Sequence, residues 1–175
     1  MGKLKKIFIP LIILLTLYFT GTVNSGCKIY KFADVSIPDS IKTVRIRYIE
    51  NNARYVNPQI SPQLTDKLRQ KIVSQTRLTQ VNNENADYDI SGKITDYSVS
   101  TSAISGQQAA TNRLTVSVSI TLRNNLTNEP DQDYSVTRSF DFSATLSLAQ
   151  AEANLTEEII RNLTDEIFNR IFSNW

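Results

Sequence analysis

Apolar and polar residues alternate with a period of two in several stretches of the chain, a pattern that predicts β-strands. In the clearest stretch, residues 114–122, five aliphatic side chains alternate with Ser and Thr. Strands with this alternation bury one face and expose the other to water. Near Thr95 and Asp96 the apolar parity shifts by one residue, which indicates a β-bulge. The remaining predicted strands cover residues 43–48, 78–82, 88–99 and 134–142.

Two other stretches repeat apolar residues every three to four positions, which predicts amphipathic helices. The first helix is expected over residues 62–75, with Ser61 as the capping residue before a proline at the first helical position. The second helix is expected to begin at Ser147 and Gln150, which have the spacing of a capping box, and to reach about Phe172.

The order strand, helix, strands in hairpins and final helix predicts an α+β fold. Two amphipathic helices are enough to cover one face of one sheet. We therefore expect a two-layer sandwich, in which a mostly antiparallel sheet of four to five strands carries both helices on one face. The opposite face is expected to be hydrophilic, because it carries Ser and Thr together with Arg45, Arg47 and Lys93. This face is the predicted contact surface.

Three features of these elements have two interpretations each. The small, polar segment 101–112, predicted to be a loop, is either a hairpin tip or a partner-binding loop. Arg138 occupies an apolar position of its strand, so it either lies at the sheet edge, as we expect, or meets an acidic partner. Phe172 and Trp175 either cover the sheet, as we expect, or contact another protein.

The first 26 residues are typical of a bacterial secretory signal. Lys3, Lys5 and Lys6 precede an apolar run at residues 7–19. Roughly 20 helical residues are needed to span a bilayer, so this run is short for a transmembrane helix. An uncleaved membrane anchor is the alternative interpretation.

The residues after this run resemble a bacterial lipobox, the site at which a lipoprotein is cleaved and acylated on its new first cysteine. Ser25 and Gly26 precede Cys27, although Asn24 replaces the usual branched residue. A lone cysteine is by itself more often a small buried residue, but its position directly after the signal favours lipidation of Cys27. Lys28 follows the cysteine where an aspartate would resemble an inner-membrane retention signal, and residues 28–31 contain none of the acidic residues that surface-exported lipoproteins often carry there. We therefore predict the periplasmic side of the outer membrane.

This interpretation divides the chain into three parts. Residues 1–26 form a lipoprotein signal peptide, residues 27–42 a lipidated N-terminal tether and residues 43–175 a single α+β domain. Without the three lysines of the signal, the chain carries 16 basic and 17 acidic residues, a formal charge of −1. This balance argues against a nucleic-acid partner, because such proteins have a strong basic excess.

The composition also limits the chemistry of the chain. It contains no histidine and one cysteine, which excludes Ser-His-Asp and Cys-His catalysis, imidazole metal sites and an internal disulfide. We find no glycine-rich phosphate loop and no calcium-loop motif. We therefore predict no catalytic residues, no metal and no cofactor. A hydrolase with a carboxylate pair is the remaining enzymatic alternative, although no second domain is predicted that would form a cleft.

A set of short segments along the chain carries a family resemblance. The segments are Ile49–Ala53, Val56–Pro58, Ser61, Leu64–Arg69, Gly92–Val99, Asn112–Val116, Ile167–Arg170 and Asn174–Trp175. The most distinctive part is the loop from Glu50 to Pro58, whereas the alternating strands would fit many domains. With these segments, the chain from Cys27 onward resembles the Bacteroidetes form of LptE, a family of lipopolysaccharide-assembly lipoproteins.

The resemblance implies a non-enzymatic lipoprotein of a Gram-negative outer membrane. Such a protein assembles with and plugs an LptD-type β-barrel and assists lipopolysaccharide transport to the outer leaflet. Its partners would be the barrel, lipopolysaccharide and, through the N-terminal lipid, the membrane. The alternative is a general periplasmic adaptor lipoprotein that binds another envelope protein.

Three basic residues are candidate lipopolysaccharide contacts. Arg45, Arg47 and Lys93 carry side chains that bind phosphates, arginine in a bidentate geometry. The alternative is that these charges keep the sheet soluble.

Overall fold

The computed structural model describes residues 37–105 and 108–173, so the predicted signal peptide, Cys27 and Trp175 lie outside the described residues. Six strands and two helices follow one another along this part of the chain. They are β1 (Thr43–Ile46), β2 (Glu50–Asn51), α1 (Ile60–Gln75), β3 (Thr79–Gln80), β4 (Tyr88–Ser105), β5 (Gln108–Asn124), β6 (Gln132–Ser143) and α2 (Leu148–Phe172).

The strands form one mixed sheet in the order β3-β1-β4-β5-β6, with β2 also paired to β4. β1 runs parallel to β3 and β4, and β2 runs parallel to β4. The long strands β4, β5 and β6 pair with one another in antiparallel orientation. The predicted α+β fold is therefore confirmed, with six strands instead of four to five. The sheet is mixed because α1 returns the chain to the same end of the sheet before the next strand begins.

One short strand explains the difference in number. β2 contains two residues, which is too few to show alternation. The short strand predicted over residues 78–82 is confirmed only at its centre, where Thr79 pairs with Thr43.

The first strand is held in place by a carboxylate. The backbone N–H groups of Lys42 and Thr43 donate to Asp87 Oδ2 at 2.7 and 2.8 Å. These bonds from Lys42 and Thr43 lower the pKa of Asp87, although its partial burial opposes them. Asp87 itself directly precedes β4, so the carboxylate joins the starts of two neighbouring strands.

The hairpin of β4 and β5 is longer than the sequence pattern indicates. The register shifts between Ile94 and Asp96, which confirms the predicted bulge. The predicted loop at residues 101–112 is wrong, because Thr101 pairs with Asn112 and the strands continue toward the tip. Ser, Thr and Ala show little amphipathic pattern there, and the cross-strand partners decide the conformation.

Both helices lie on the same core. The buried stripe of α1 contains Leu64, Leu68 and Ile72, and that of α2 contains Ile159, Leu163 and Ile167. These side chains form one cluster with the sheet residues Val44, Ile90, Ile94, Val116, Val118 and Ile120. The helices also contact each other, where Lys71 of α1 pairs with Asp165 of α2 at 2.8 Å and lies over the ring of Phe168.

The two helix starts give different outcomes. Ser147 and Gln150 form the predicted capping box of α2. The predicted cap at Ser61 is wrong, since α1 begins at Ile60 and Ser61 is buried inside its first turn. The side chain of Asn57 instead accepts a hydrogen bond from the Gln59 N–H at 2.9 Å, which fastens the chain just before the helix.

The structure answers the open questions on Arg138 and Phe172, whereas Trp175 lies outside the described residues. Arg138 lies on the edge strand β6, as expected, and also forms an ion pair with Glu166 of α2. Phe172 is 2% exposed, so it covers the sheet instead of facing a partner.

Neither α1 nor α2, the helices of the described residues, is long and apolar enough to cross a membrane.

Candidate functional site

The sheet face opposite the helices is hydrophilic, as the alternation predicts. On β5 and β6, hydroxyl and charged side chains form cross-strand pairs along the face. The pairs are Arg113–Asp141, Thr115–Ser139, Ser117–Thr137 and Thr121–Asp133, and Arg123 also pairs with Asp131 just before β6. We call this surface the open face. Its charges are largely matched by partners within the chain.

The predicted contact residues Arg45 and Arg47 share one carboxylate on the open face. Because β1 runs parallel to β4, Arg45 lies opposite Asp89 in the register. Arg47 Nε donates to both carboxylate oxygens of Asp89 at 3.0 and 3.1 Å, and its Nη2 forms a further short bond. Arg45 Nη1 lies 4.0 Å from Asp89 Oδ2 and 3.7 Å from a carboxylate oxygen of Glu84.

Burial makes the pair of Arg47 and Asp89 asymmetric. The side chain of Asp89 is 6% exposed and that of Arg47 is 46% exposed. The hydrogen bonds to Asp89 raise the pKa of Arg47 above its usual value. A nearly buried carboxylate needs a cationic partner, so Arg47 has a structural role in addition to any role in binding.

Lys93 is exposed on the same face and forms no ion pair with any residue between 37 and 105 or between 108 and 173. It lies at a shallow depression of about 410 Å³, where β1 has ended and β2 begins. The depression is also lined by Arg47, Tyr48, Glu50, Ser91, Gly92, Ser119 and Thr121. The structure thus brings Arg47 and Lys93 to one depression, whereas Arg45 is directed toward Asp89 and Glu84.

Asp89 is the residue of this site that sequence reasoning missed. Its position between the apolar residues Tyr88 and Ile90 places it on the open face by parity. This signal was present in the sequence. The partners of Asp89 could not be identified from the sequence, because they follow from the parallel pairing of β1 and β4.

A second polar cluster fastens the distinctive loop between β2 and α1. The Tyr97 hydroxyl donates to Glu152 Oε1 at 2.9 Å, and the Tyr55 hydroxyl donates to Glu152 Oε2 at 3.3 Å. The rings of Tyr55 and Tyr97 stack with centroids 5.5 Å apart, and Asn57 Nδ2 donates to the Tyr97 hydroxyl. Burial raises the pKa of Tyr97, and its bond to Glu152 raises it further. The loop is therefore bonded to α2.

The described residues contain no group of Cys, Asp and Glu side chains that would hold a metal ion. Segment 101–112 places Ile104, 73% exposed, near the hairpin tip. The interpretation of this segment as a partner-binding element remains a prediction.

Comparison with known proteins decides the family. The sequence model of the LptE family, described as lipopolysaccharide-assembly, matches residues 41–171. The chain belongs to the LptE family. It is thus a lipopolysaccharide-assembly lipoprotein of the cell envelope, from a family of non-enzymatic proteins. No curated protein matches the sequence.

Solved structures of other bacterial proteins share the fold of this LptE-family chain. A minor lipoprotein from Acinetobacter baumannii has a TM-score of 0.51 at 16% identity, covering 75% of this chain and 93% of that chain. Lipoprotein B from Nitrosomonas europaea has a TM-score of 0.51 at 19% identity, covering 80% and 87%. A protein from Xanthomonas campestris has a TM-score of 0.54 at 10% identity, covering 80% and 89%. At these identities the similarity concerns the fold alone.

Proposed function

We propose that this LptE-family chain is an outer-membrane lipoprotein, anchored through Cys27 on the periplasmic side, that plugs an LptD-type β-barrel and assists lipopolysaccharide transport. The observation that carries the proposal is the family match over residues 41–171. The partner, the anchor and the membrane are the proposed parts.

The open face supports the role of a plug. The interior of a large outer-membrane barrel is polar and lined by alternating residues. The cross-strand pairs Thr115–Ser139 and Ser117–Thr137 give the open face hydroxyl groups that exchange hydrogen bonds with such a wall. The helix face, in contrast, buries the apolar core. The open face is therefore the side that we place against the barrel.

The anchor supports the location. Acylation of Cys27 would add several buried hydrocarbon chains, and each CH₂ group contributes about 0.8 kcal/mol to membrane binding. The tether of residues 27–42 would then connect the membrane to β1. Mass spectrometry of the mature N-terminus tests this part, and a free Cys27 thiol behind an intact signal peptide contradicts it.

Native co-purification tests the partner. The tagged full chain is solubilised from native outer membranes, and the proteins recovered with it are identified by mass spectrometry. We expect a large β-barrel in stoichiometric amount. A matched control carries Cys27→Ala, which removes the acylation site and should reduce recovery of the barrel. Stoichiometric recovery of another envelope protein, without a barrel, would favour the adaptor lipoprotein instead.

The depression around Lys93 is the proposed lipopolysaccharide contact. Lys93 supplies an ammonium group without an ion pair in the described region, and Arg47 keeps part of its guanidinium exposed while it binds Asp89. Arg45 on β1, two residues before Arg47, contributes positive potential beside the depression. Lysine and arginine bind the phosphates of the glycolipid by charge-assisted hydrogen bonds.

Substitution of Lys93 tests this contact more cleanly than reversal of Arg45 and Arg47, because Asp89 needs those arginines. We expect Lys93→Gln to weaken lipopolysaccharide binding by the purified, acylated protein about three- to tenfold at low salt. Lys67→Gln removes an exposed lysine from helix α1 and serves as the matched control. Equal binding by the two variants contradicts the contact.

A further inference from the structure

Among residues 37–105 and 108–173, the sheet ends on one side in a long strand that has no further strand beside it. β6 is the last strand in the order and has 12 residues, whereas β3 at the other end has two. The ladder between β5 and β6 has no register shift from Thr111↔Ser143 to Leu122↔Gln132. The sequence of β6 contains no proline or lysine. Bulges, proline and lysine are common devices that protect an edge strand from further pairing, and β6 has none of them.

The direction of the backbone groups on β6 follows from one hydrogen bond. The Ala144 N–H donates to the Ala110 carbonyl at 3.2 Å, in the same register as the β5–β6 ladder. In an antiparallel ladder only every second residue bonds to a given neighbour. The even-numbered residues of β6 therefore bond to β5, and the odd-numbered residues direct their N–H and C=O groups away from the sheet. Five of these outward residues are Asp133, Ser135, Thr137, Ser139 and Asp141, whereas the carbonyl of the sixth, Ser143, accepts from the Leu146 N–H.

The charged side chains of β6 are each held by a partner within the chain, so they do not cover the outward backbone groups of this edge. Asp133 accepts from the Thr121 hydroxyl, and Asp141 binds Arg113 Nε at 2.7 Å. Arg138 binds Glu166 on helix α2. Free charges would have to be desolvated when a new strand arrives. Here the outward surface is mainly backbone, with hydroxyl side chains beside it.

Charge arrangement makes a second copy the less favourable occupant in the longest registers. The two antiparallel registers with the largest overlap would pair all but one residue of β6 with β6 of another copy. One places Asp133 opposite Asp141 of the second copy, and the other places Arg138 opposite Arg138 of the second copy. Like charges directly opposite each other destabilise a strand pair. A segment without charges at these positions therefore fits the edge better than a second copy in either of these two registers.

We propose that the free edge of β6 accepts an extended segment of an envelope partner protein, which adds as an antiparallel strand opposite Asp133–Asp141. Backbone hydrogen bonds supply the binding, as in other cases of strand addition. On the open face, the segment carries small hydroxyl residues that continue the Ser and Thr ladder, and it carries no acid opposite Asp133 or Asp141. The identity of the partner as the β-barrel protein rests on the function proposed above.

Proline substitution tests the backbone directly. Thr137→Pro removes an outward N–H group and no hydrogen bond to β5, so circular dichroism and the melting temperature should remain close to those of the parent chain. We expect recovery of the partner in native co-purification to fall at least about tenfold. Thr137→Ala removes one hydroxyl of the open face but keeps the N–H group, so it should lower recovery by no more than about twofold, far less than Thr137→Pro. Equal recovery by a folded Thr137→Pro variant overturns the proposal.

Cross-linking gives a test that does not depend on the proline variant. The photoreactive residue p-benzoylphenylalanine replaces Ser135 or Ser139 in the full chain, and native membranes are irradiated. We expect both positions to cross-link one segment of one partner, with the attachment sites in reverse order along that segment. Attachment sites in unrelated segments, or on a second copy of this chain, overturn strand addition.

The outcomes separate this inference from the proposed function. If the barrel co-purifies and cross-links from Ser135 and Ser139 miss it or lack the reverse order, strand addition is wrong and the barrel partnership stands. If no barrel is recovered but both positions cross-link one segment of another envelope protein in reverse order, strand addition stands and the barrel partnership is wrong.

Discussion

Removal of the Arg47 guanidinium tests whether the candidate contact residues also hold the fold together. Arg47→Ala leaves the carboxylate of Asp89, 6% exposed, without its bidentate partner. Breaking a fully buried ion pair costs about 3–5 kcal/mol, and breaking an exposed pair costs about 0.2–1 kcal/mol. Arg47 is 46% exposed, and Arg45 remains 4.0 Å from the carboxylate. We therefore expect the free energy of unfolding to fall by about 2 kcal/mol.

Urea denaturation followed by circular dichroism measures this loss. A domain of this size has an m-value of about 2 kcal/mol per molar urea, so the midpoint should shift downward by about 1 M. The m-value itself should not change, since the substitution leaves the core intact. Arg113→Ala is the matched control, because Arg113 and Asp141 are 48% and 49% exposed. This control should shift the midpoint by less than about 0.5 M.

A double-mutant cycle shows whether the lost charge partner is the cause. In an Asp89→Asn background the buried charge is gone, so Arg47→Ala should cost about half as much or less. The reasoning is refuted if Arg47→Ala and Arg113→Ala shift the midpoint equally. It is also refuted if the cost of Arg47→Ala is unchanged in the Asp89→Asn background.

Three further predictions concern stability. Gly92→Ala should lower the melting temperature by about 5 °C. The added Cβ would lie 2.5 Å from Ile120 Cδ1 and 3.2 Å from the Ser119 carbonyl oxygen. An unchanged melting temperature contradicts this packing. Ser147→Ala should cost about 1 kcal/mol in urea denaturation, through loss of the capping box of α2. The lowered pKa of Asp87 stabilises the fold above the unfolded value of about 3.9, and this stabilisation is lost as the pH falls through the folded value. The Asp87→Ala variant should therefore be less stable than the parent chain at neutral pH, and its stability should fall less steeply than that of the parent below about pH 4. Melting temperatures measured at several pH values test this, and parallel pH profiles of the two proteins would contradict it.

The periodicity of the sequence was sufficient to assign residues to faces. The strand at residues 114–122 buries its aliphatic residues and leaves its hydroxyl residues on the open face, as the alternation indicates. The bulge beside Thr95 and the capping box at Ser147 were also readable in advance. Each of these features depends on residues within one or two turns or pleats, so the local sequence contains the information.

Pairing between distant strands was not readable from the sequence. The hairpin continues beyond Thr101, where Thr101 pairs with Asn112 and Ile104 with Ala109, although the composition of this segment alone indicated a loop. The sharing of Asp89 by Arg45 and Arg47 likewise depends on the parallel pairing of β1 and β4.

The sequence by itself determined the α+β class, the hydrophilic face and the residues that line it, because a period of two or of 3.6 assigns each side chain to a side of its own element. The tertiary structure alone decided which elements are neighbours. In the folded chain Arg47 forms an ion pair with Asp89, whereas Lys93 forms none in the described region. The fold also places β6 at the edge of the sheet. Those outcomes depend on contacts between residues far apart in the chain, for which no local pattern exists.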